Sequence, residues 1–277
     1  MPSKSVLITG CSAGGIGHAL ALAFQERGLT VFATARSLNK MQDLASLPNI
    51  HLLSLDVTDP VSISTAVKEV GVRTGGRLDI LVNNAGQQFV MPALDVNIEK
   101  AKGLFDVNYW AALRMIQEFA QMLIAARGVV VNVGSTAGVV TVPFQSQYHA
   151  SKAAIIMLSE ILRLELAPLN VRVITLMVGN VASNIDVNGP PPASLPSTSM
   201  YLPIEKQIAA DYTWDTMPTK KFASQVVADV MSGKSGKVWR GGNTAIIRWA
   251  VPFMPQWVFD KIMISISRGL DKMPMIA

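Results

Sequence analysis

Cysteine is nearly missing from this chain. Cys11 is the one cysteine in 277 residues, so no intrachain disulfide can form, and this fits a reducing, intracellular compartment. Histidine is almost as scarce: His18, His51 and His149 stand apart, with no CxxC and no HExxH spacing, so no metal site is expected. Charged residues make up only 16% and aromatics 6%. The net charge of +5 is scattered, without the stripe of cations and interleaved aromatics that a nucleic-acid groove uses. It reads either as a solvated basic surface or as attraction to anionic phosphates or a negatively charged membrane face. Long apolar runs are absent too. "SVLIT" near the start is too short for a signal peptide's apolar core. The longest uncharged run of the tail, Trp249 to Phe259, is 11 residues, against about 20 needed to span a bilayer.

What is present is core-forming material, with 50% of residues hydrophobic. Short β-branched runs recur at 6–9, 30–35, 50–56, 79–84, 128–135 and 171–177, and more weakly at 236–242. They are apolar at nearly every position instead of alternating, which implies burial on both faces, as in a parallel sheet. Amphipathic segments at 16–28, 60–73, 101–126, 147–167 and 222–232 separate them. Strand and helix in alternation imply right-handed crossovers and an α/β doubly wound parallel sheet of Rossmann type, about seven strands flanked by helices. The whole chain, 1–277, reads as one domain. A Pro/Ser-rich stretch within 188–217 reads as a mobile substrate loop. Residues 245–277 form a hydrophobic extension, readable as core packing, an oligomer contact, a lid at the substrate mouth or an interfacial membrane contact.

"LITGCSAGGIGHAL", residues 7 to 20, admits two chemistries. Gly10-Cys11-Ser12-Ala13-Gly14 spells G-x-S-x-G, the nucleophile elbow of serine hydrolases. That reading needs an acid and then a histidine later in the chain, and only His51 and His149 follow Ser12. Read instead as Thr9-Gly10 to Gly15-Ile16-Gly17, the stretch is a glycine turn that brings backbone amides up to a dinucleotide phosphate at a helix start. The second strand ends "FATARS", with no acid to bind a free ribose 2′-hydroxyl and with Arg36 suited to a 2′-phosphate. NADP(H) is therefore expected over NAD(H).

"YHASK" places Tyr148 and Lys152 four residues apart on one helix face. A lysine beside a phenol stabilises the phenolate, which makes Tyr148 an acid able to protonate a carbonyl oxygen as hydride arrives. Ser135 ends the fifth strand, where such sheets present ligand-facing residues, and its hydroxyl can bond the substrate oxygen. Asn108, on the long helix 101–126, can hold a water that links Lys152 to solvent. "LVNNAG" after the fourth strand puts Asn83 and Gly86 against the cofactor. Gln87, Gln88, Val139, Val140, Phe144 and the 184–217 segment would line an apolar wall with amides, suited to a bulky hydrophobic ketone.

The glycine turn, the N-N-A-G stretch and the ordered set Asn108, Ser135, Tyr148 and Lys152 resemble the short-chain dehydrogenase/reductase family, from the first strand to at least residue 185. The resemblance implies that Asp56 and Val57 flank the adenine and that Tyr148 and Lys152 hold the nicotinamide ribose. It also implies that Gly10, Ser12, Gly15, Ile16 and Gly17 meet the phosphates, and that Val181 and Ser183 lie near the nicotinamide. The turn carries one residue more than the family's usual T-G-x-x-x-G-x-G, and Val178 stands where a proline is usual. Over nearly the whole chain, "NNAGQQFVMPALD", "STAGVVTVPFQSQYHASKAAI" and the tail "VWRGGNTAIIRWAVPFMPQWVFDKI" are similar to fungal NADPH-dependent 1-acyl-dihydroxyacetone-phosphate reductases.

The expected activity is NADPH-dependent reduction of a ketone on a hydrophobic or lipid-like substrate, either acyl-dihydroxyacetone phosphate or a bulky secondary-metabolite ketone. The alternatives are a serine-type lipid hydrolase acting through Ser12 and a non-redox cofactor-binding scaffold or cyclase. The resemblance implies a small-molecule partner, homo-oligomers through the long helices, and a location that is cytoplasmic or peripheral at the endoplasmic reticulum or a lipid droplet, with membrane contact through 245–267.

Overall fold

A computed structural model describes residues 3–185, 194–210 and 215–274. Its strands are β1 (Ser5–Thr9), β2 (Thr30–Ala35), β3 (Ile50–Ser54), β4 (Ile80–Asn83), β5 (Val129–Val133), β6 (Arg172–Val178) and β7 (Gly236–Arg240). All pair in parallel, in the order β3-β2-β1-β4-β5-β6-β7. The helices are α1 (Ile16–Gln25), α2 (Pro60–Thr74), α3 (Ile98–Phe105), α4 (Ala111–Ala126), α5 (Ser146–Glu165), α6 (Glu205–Ala209), α7 (Thr219–Met231), α8 (Thr244–Trp249) and α9 (Gln256–Ile266).

The continuous apolar runs are explained by two cores, one on each face of the sheet. Val6, Ile8, Val31, Ala33, Val82, Val131 and Leu176 pack with Leu20 and Phe24 of α1 and Phe222 and Val226 of α7. Their alternates Leu7, Phe32, Leu81, Val130 and Val173 pack with Ile63 of α2, Phe119 of α4 and Leu162 of α5. Side chains alternate between the faces with period two, so a strand covered on both sides must be apolar throughout. Each wholly buried phenylalanine, such as Phe24, Phe32, Phe119 or Phe222, contributes about 2 to 3 kcal/mol of transfer free energy.

The expected helix 101–126 is not one helix. α3 gives way at Asp106–Trp110 to a π-helical turn, in which Ala111 N–H donates to the Asp106 carbonyl, before α4 begins. The extra residue turns Asn108 inward, where its side chain bonds other segments (below). A single π turn inside an α-helix is a common functional device. The loop expected at 188–217 is partly ordered: a 3₁₀ turn at Leu202–Ile204 leads into α6. Residues 188–193 and 211–214 lie outside the described residues, as do 275–277 of the extension. Among the described residues no helix is long and apolar enough to cross a membrane.

Candidate active site

Leaving β1, the chain goes to β2 on one side, and β4 lies on the other. Beyond the carboxyl ends of β1 and β4 is therefore the topological switch point, where such sheets bind ligands. The glycine turn is there. Gly10 has φ +74°, and a Cβ on Gly17 would run into the Gly10 carbonyl and the Asn84 amide, so α1 packs on the turn only because residue 17 has no side chain. Gly15 caps α1 without any side-chain bond, no acid lies in the first turn, and Ile16, the first helical residue, packs against the core. Backbone N–H groups at this end are left for an anion. The Ser12 carbonyl accepts from Gly15 N–H at 3.1 Å, and Ala13 N–H donates to the Lys40 carbonyl at 2.8 Å. Burial pushes the Cys11 thiol up to about 12, which leaves it unreactive.

Asn84, not Asn83, serves this turn. Asn84 Nδ2 donates to the carbonyls of Thr9 at 2.8 Å and Gly10 at 3.1 Å. Thr9 Oγ1 accepts in return from the N–H groups of Asn84 and Ala85, both at 2.9 Å. The Asn83 side chain turns the other way, donating to Asn132 Oδ1 on β5 at 2.9 Å. The Asn83 side chain thus ties two central strands together, which leaves its backbone for the place against the cofactor expected of it. Consecutive strand residues face opposite ways, and two adjacent asparagines do not show which is which.

At the ends of β2 and β3, Arg36 is exposed and Asp56 is half-buried, accepting from Thr58 N–H at 2.9 Å and Thr58 Oγ1 at 2.7 Å. Burial raises the Asp56 carboxyl, but the two Thr58 bonds and the nearby Arg36 charge outweigh it and hold it below the usual carboxylate range. Val57 packs against the core below. After β6, Val181 bridges to Met217, and Ser183 is half-buried. Its neighbour Asn184 donates to the Ala13 carbonyl at 3.1 Å, so the segment after β6 lies over the glycine turn. Composition gave no signal for Asn184 or for Lys40.

The four catalytic candidates come from three elements: Asn108 from the π turn, Ser135 from the turn after β5, and Tyr148 and Lys152 from α5. Asn108 Oδ1 accepts from Gln87 N–H at 2.9 Å, while Nδ2 donates to the Gln87 carbonyl at 3.0 Å and to Ser151 Oγ at 2.9 Å. Ser151 in turn donates to the Tyr148 carbonyl at 2.7 Å. Asn108 thus clamps the loop after β4 to the start of α5. Lys152 is buried, donates to the Val133 carbonyl at 3.0 Å, and holds Nζ 5.8 Å from the centre of the Tyr148 ring. Burial lowers its ammonium to about 8. Ser135 Oγ accepts from Ala137 N–H at 3.1 Å and reaches Val178 O only at 3.5 Å, the limit for a hydrogen bond, so its proton is readily re-aimed. Gly86 borders all this: a Cβ there would stand 3.4 Å from Asn108 Oδ1 and 3.6 Å from Lys152 Nζ. These residues fit a dinucleotide laid from the start of α1 to Lys152, with backbone room where a side chain would intrude.

No triad forms around Ser12. The left-handed residues of the turn are Gly10 and Gly14, and Ser12 lacks the strained backbone of an elbow nucleophile. His18 Nε2 pairs with Asp43 Oδ2 at 2.6 Å, His149 Nδ1–H donates to the Val140 carbonyl at 2.7 Å, and His51 packs on the Phe32 ring at 5.4 Å. No hydrogen bond joins any of them to Ser12 among the described residues.

Over Tyr148 lies an apolar cluster of Phe89, Met91, Leu104, Phe144, Leu195, Ile204 and Ile208, with Tyr201, Leu270 and Met273 against it. Of the residues expected to line the wall, Phe144 is there. Gln87 contributes its pinned backbone, and Val139 is exposed.

The family model of short chain dehydrogenases matches residues 4–191. The chain is 42% identical over 271 residues to the short-chain dehydrogenase ptmH of Penicillium ochrochloron, covering 96% of this chain and 99% of that one. It is 41% identical over 224 residues to the NADPH-dependent 1-acyldihydroxyacetone phosphate reductase of Schizosaccharomyces pombe, covering 80% and 74%. Among solved structures, a short-chain dehydrogenase from Streptomyces avermitilis superposes with a TM-score of 0.76 at 26% identity, over 98% of this chain and 97% of that one. One from Burkholderia cenocepacia J2315, in complex with NADP, gives 0.74 at 25% identity, over 94% and 98%. The chain belongs to the short-chain dehydrogenase/reductase family of nicotinamide-dependent oxidoreductases.

Proposed function

We propose that this protein is an NADP(H)-dependent reductase of a ketone on a hydrophobic substrate. The observation that carries the reading is the buried Lys152 ammonium 5.8 Å from the Tyr148 ring, beneath an apolar cluster that contains Tyr148 itself. The amides at the start of α1, with Gly10, Ser12, Gly15, Ile16 and Gly17, would hold the pyrophosphate. Arg36 would meet the 2′-phosphate, Asp56 and Val57 the adenine, Gly86, Tyr148 and Lys152 the nicotinamide ribose, and Val181 and Ser183 the nicotinamide side. The bound nicotinamide supplies hydride. Ser135 orients the substrate oxygen, and Tyr148 gives it a proton. The Lys152 charge favours the phenolate that remains, and Asn108 keeps these groups in register. Positioning and acid catalysis of this kind are worth several orders of magnitude in rate. The NADPH-dependent reductase among the relatives and the NADP-bound neighbour support the choice of NADP(H) over NAD(H).

The test is oxidation of NADPH and of NADH at 340 nm, against acyl-dihydroxyacetone phosphate and a panel of bulky ketones. NADPH is expected to be preferred, and Tyr148→Phe to keep NADPH affinity while losing about a hundredfold or more in kcat. Wild-type turnover by that variant would refute the mechanism. Saturable NADPH binding without oxidation across the panel would favour the non-redox scaffold.

The tail suggests where such a substrate is met. Ile246, Trp249, Phe253 and Trp257 are each at least 60% exposed, and Arg248 and Lys261 lie over Trp249 and Trp257 at 4.6 and 5.3 Å. Exposed indoles beside cations suit a lipid headgroup layer. Flotation with anionic phosphatidylserine vesicles, lost in a Trp249→Ser, Trp257→Ser double variant, is the expected result. Equal flotation of the two proteins would remove this contact.

A further inference from the structure

Five non-glycine residues among those described have positive φ, and Phe144, at +67°, is the only aromatic one. The others are asparagines and an arginine. A bulky side chain in this conformation persists only where its surroundings over-determine it, and such residues cluster at functional sites. The surroundings here are specific. The Phe144 carbonyl accepts from Met91 N–H at 2.7 Å. Its ring is buried and meets the Tyr201 ring edge-on, with centroids 5.6 Å apart and planes at 78°. Both rings belong to the apolar cluster over Tyr148.

Tyr201 comes from the segment that covers the site, and that segment is itself anchored. Ser199 Oγ accepts from Tyr201 N–H at 3.1 Å and donates to Asp95 Oδ2 at 2.5 Å. The ring pair therefore joins the fixed loop leading into α5 to the cover above it. We propose that Phe144 and Tyr201 form an aromatic clamp that selects ketones carrying a flat, ring-bearing face beside the carbonyl over flexible aliphatic ketones. A rigid flat ligand gains ring-to-ring contact and loses few rotors on binding. A saturated chain would gain equally from aliphatic walls and must also be ordered. The proposal rests on the ketone reductase reading and narrows its substrate class.

The experiment compares wild type with Phe144→Leu, Phe144→Tyr and Tyr201→Leu on two ketones, 2-tetralone and 2-decanone. NADPH oxidation gives kcat and KM, and calorimetry on the NADPH-loaded protein gives Kd. For Phe144→Leu, KM and Kd for 2-tetralone should rise about tenfold, several times more than those for 2-decanone. Phe144→Tyr should retain the wild-type preference. Tyr201→Leu alters no strained backbone, so it should reproduce the split even if Phe144→Leu folds poorly. A loss equal for both ketones, a fall in kcat at unchanged Kd, or no binding of 2-tetralone to the wild type would overturn the clamp. If calorimetry shows the split but no protein oxidises NADPH, the clamp stands and the reductase reading falls.

Discussion

Lys152 is a buried cation with one carbonyl partner, Val133 O, and burial brings its ammonium from the ordinary 10.5 down to about 8. The effects on stability and on chemistry have opposite signs. Between about pH 8 and 10.5 the unfolded chain holds a proton that the folded chain has lost, so stability rises with pH across that window. Below pH 8 both states are charged, and the cost of burial is carried in full. In the proposed reaction the sign is the opposite, because the Lys152 charge that would favour the Tyr148 phenolate is lost above about pH 8. Urea unfolding of the cofactor-free protein should show stability rising from pH 8 to 10, and Lys152→Met should flatten that rise. The kcat for ketone reduction should fall on an alkaline limb near pH 8. In Lys152→Arg the limb should move up, since guanidinium keeps its charge. An unmoved limb would assign that titration to another group. The i, i+4 pair itself was legible in "YHASK" because helical spacing is fixed by geometry. The depressed ammonium was not, since it depends on burial contributed by β5 and the turn after β4.

The same division holds for elements. The central strands β1, β2, β4, β5 and β6 were legible because burial on both faces forces an unbroken apolar run, and the edge strand β3 was legible through Ile50, Leu52 and Leu53. β7, at the other edge, was faint because cations interrupt it, with Lys237 exposed and Arg240 half-buried. The π turn at Asp106–Trp110 left no periodic trace, since one inserted residue shifts a 3.6-residue pattern too little to read beside an ordinary helix. Its consequence is chemical. Asn108 uses both its amide hydrogens and its carbonyl on Gln87 and Ser151, and Ser151, already donating to Tyr148 O, can only accept from it. Asn108→Asp keeps the shape but ends both donations and leaves a buried acceptor facing acceptors. The expected cost is about 2 to 4 kcal/mol in urea denaturation, with kcat down at least about tenfold and NADPH affinity little changed. An unaltered kcat would show that the clamp between β4 and α5 serves stability alone.

At the scale of the whole molecule, hydrogen bonds and packing tie the tail to the segment over Tyr148. Arg268, just past α9, donates from Nη1 to the carbonyls of Ile208 and Ala210 at 2.6 and 2.5 Å. Leu270 and Met273 then join Ile208 and Tyr201 in the cluster over Tyr148. The hydrophobicity of 245–277 allowed core, lid or interface, and its residues go two ways: Leu270 and Met273 pack against the cluster that contains Tyr148, while Trp249, Phe253 and Trp257 are exposed. Sequence could not separate these roles because the contacts that do so run between residues 60 and 58 positions apart. Arg268→Ala removes charge-assisted bonds to two carbonyls that hold the cover down, each worth about 1.5 to 3 kcal/mol where buried and less toward solvent. The cover should open more often, as a local event below the global stability. Limited proteolysis within 194–210 should speed up, and KM for a bulky ketone should rise several-fold, while NADPH affinity and the midpoint of global unfolding stay close to wild type. Unchanged proteolysis with lost NADPH binding would instead place Arg268 in the support of the nucleotide half, and the tail would no longer count as part of the mouth.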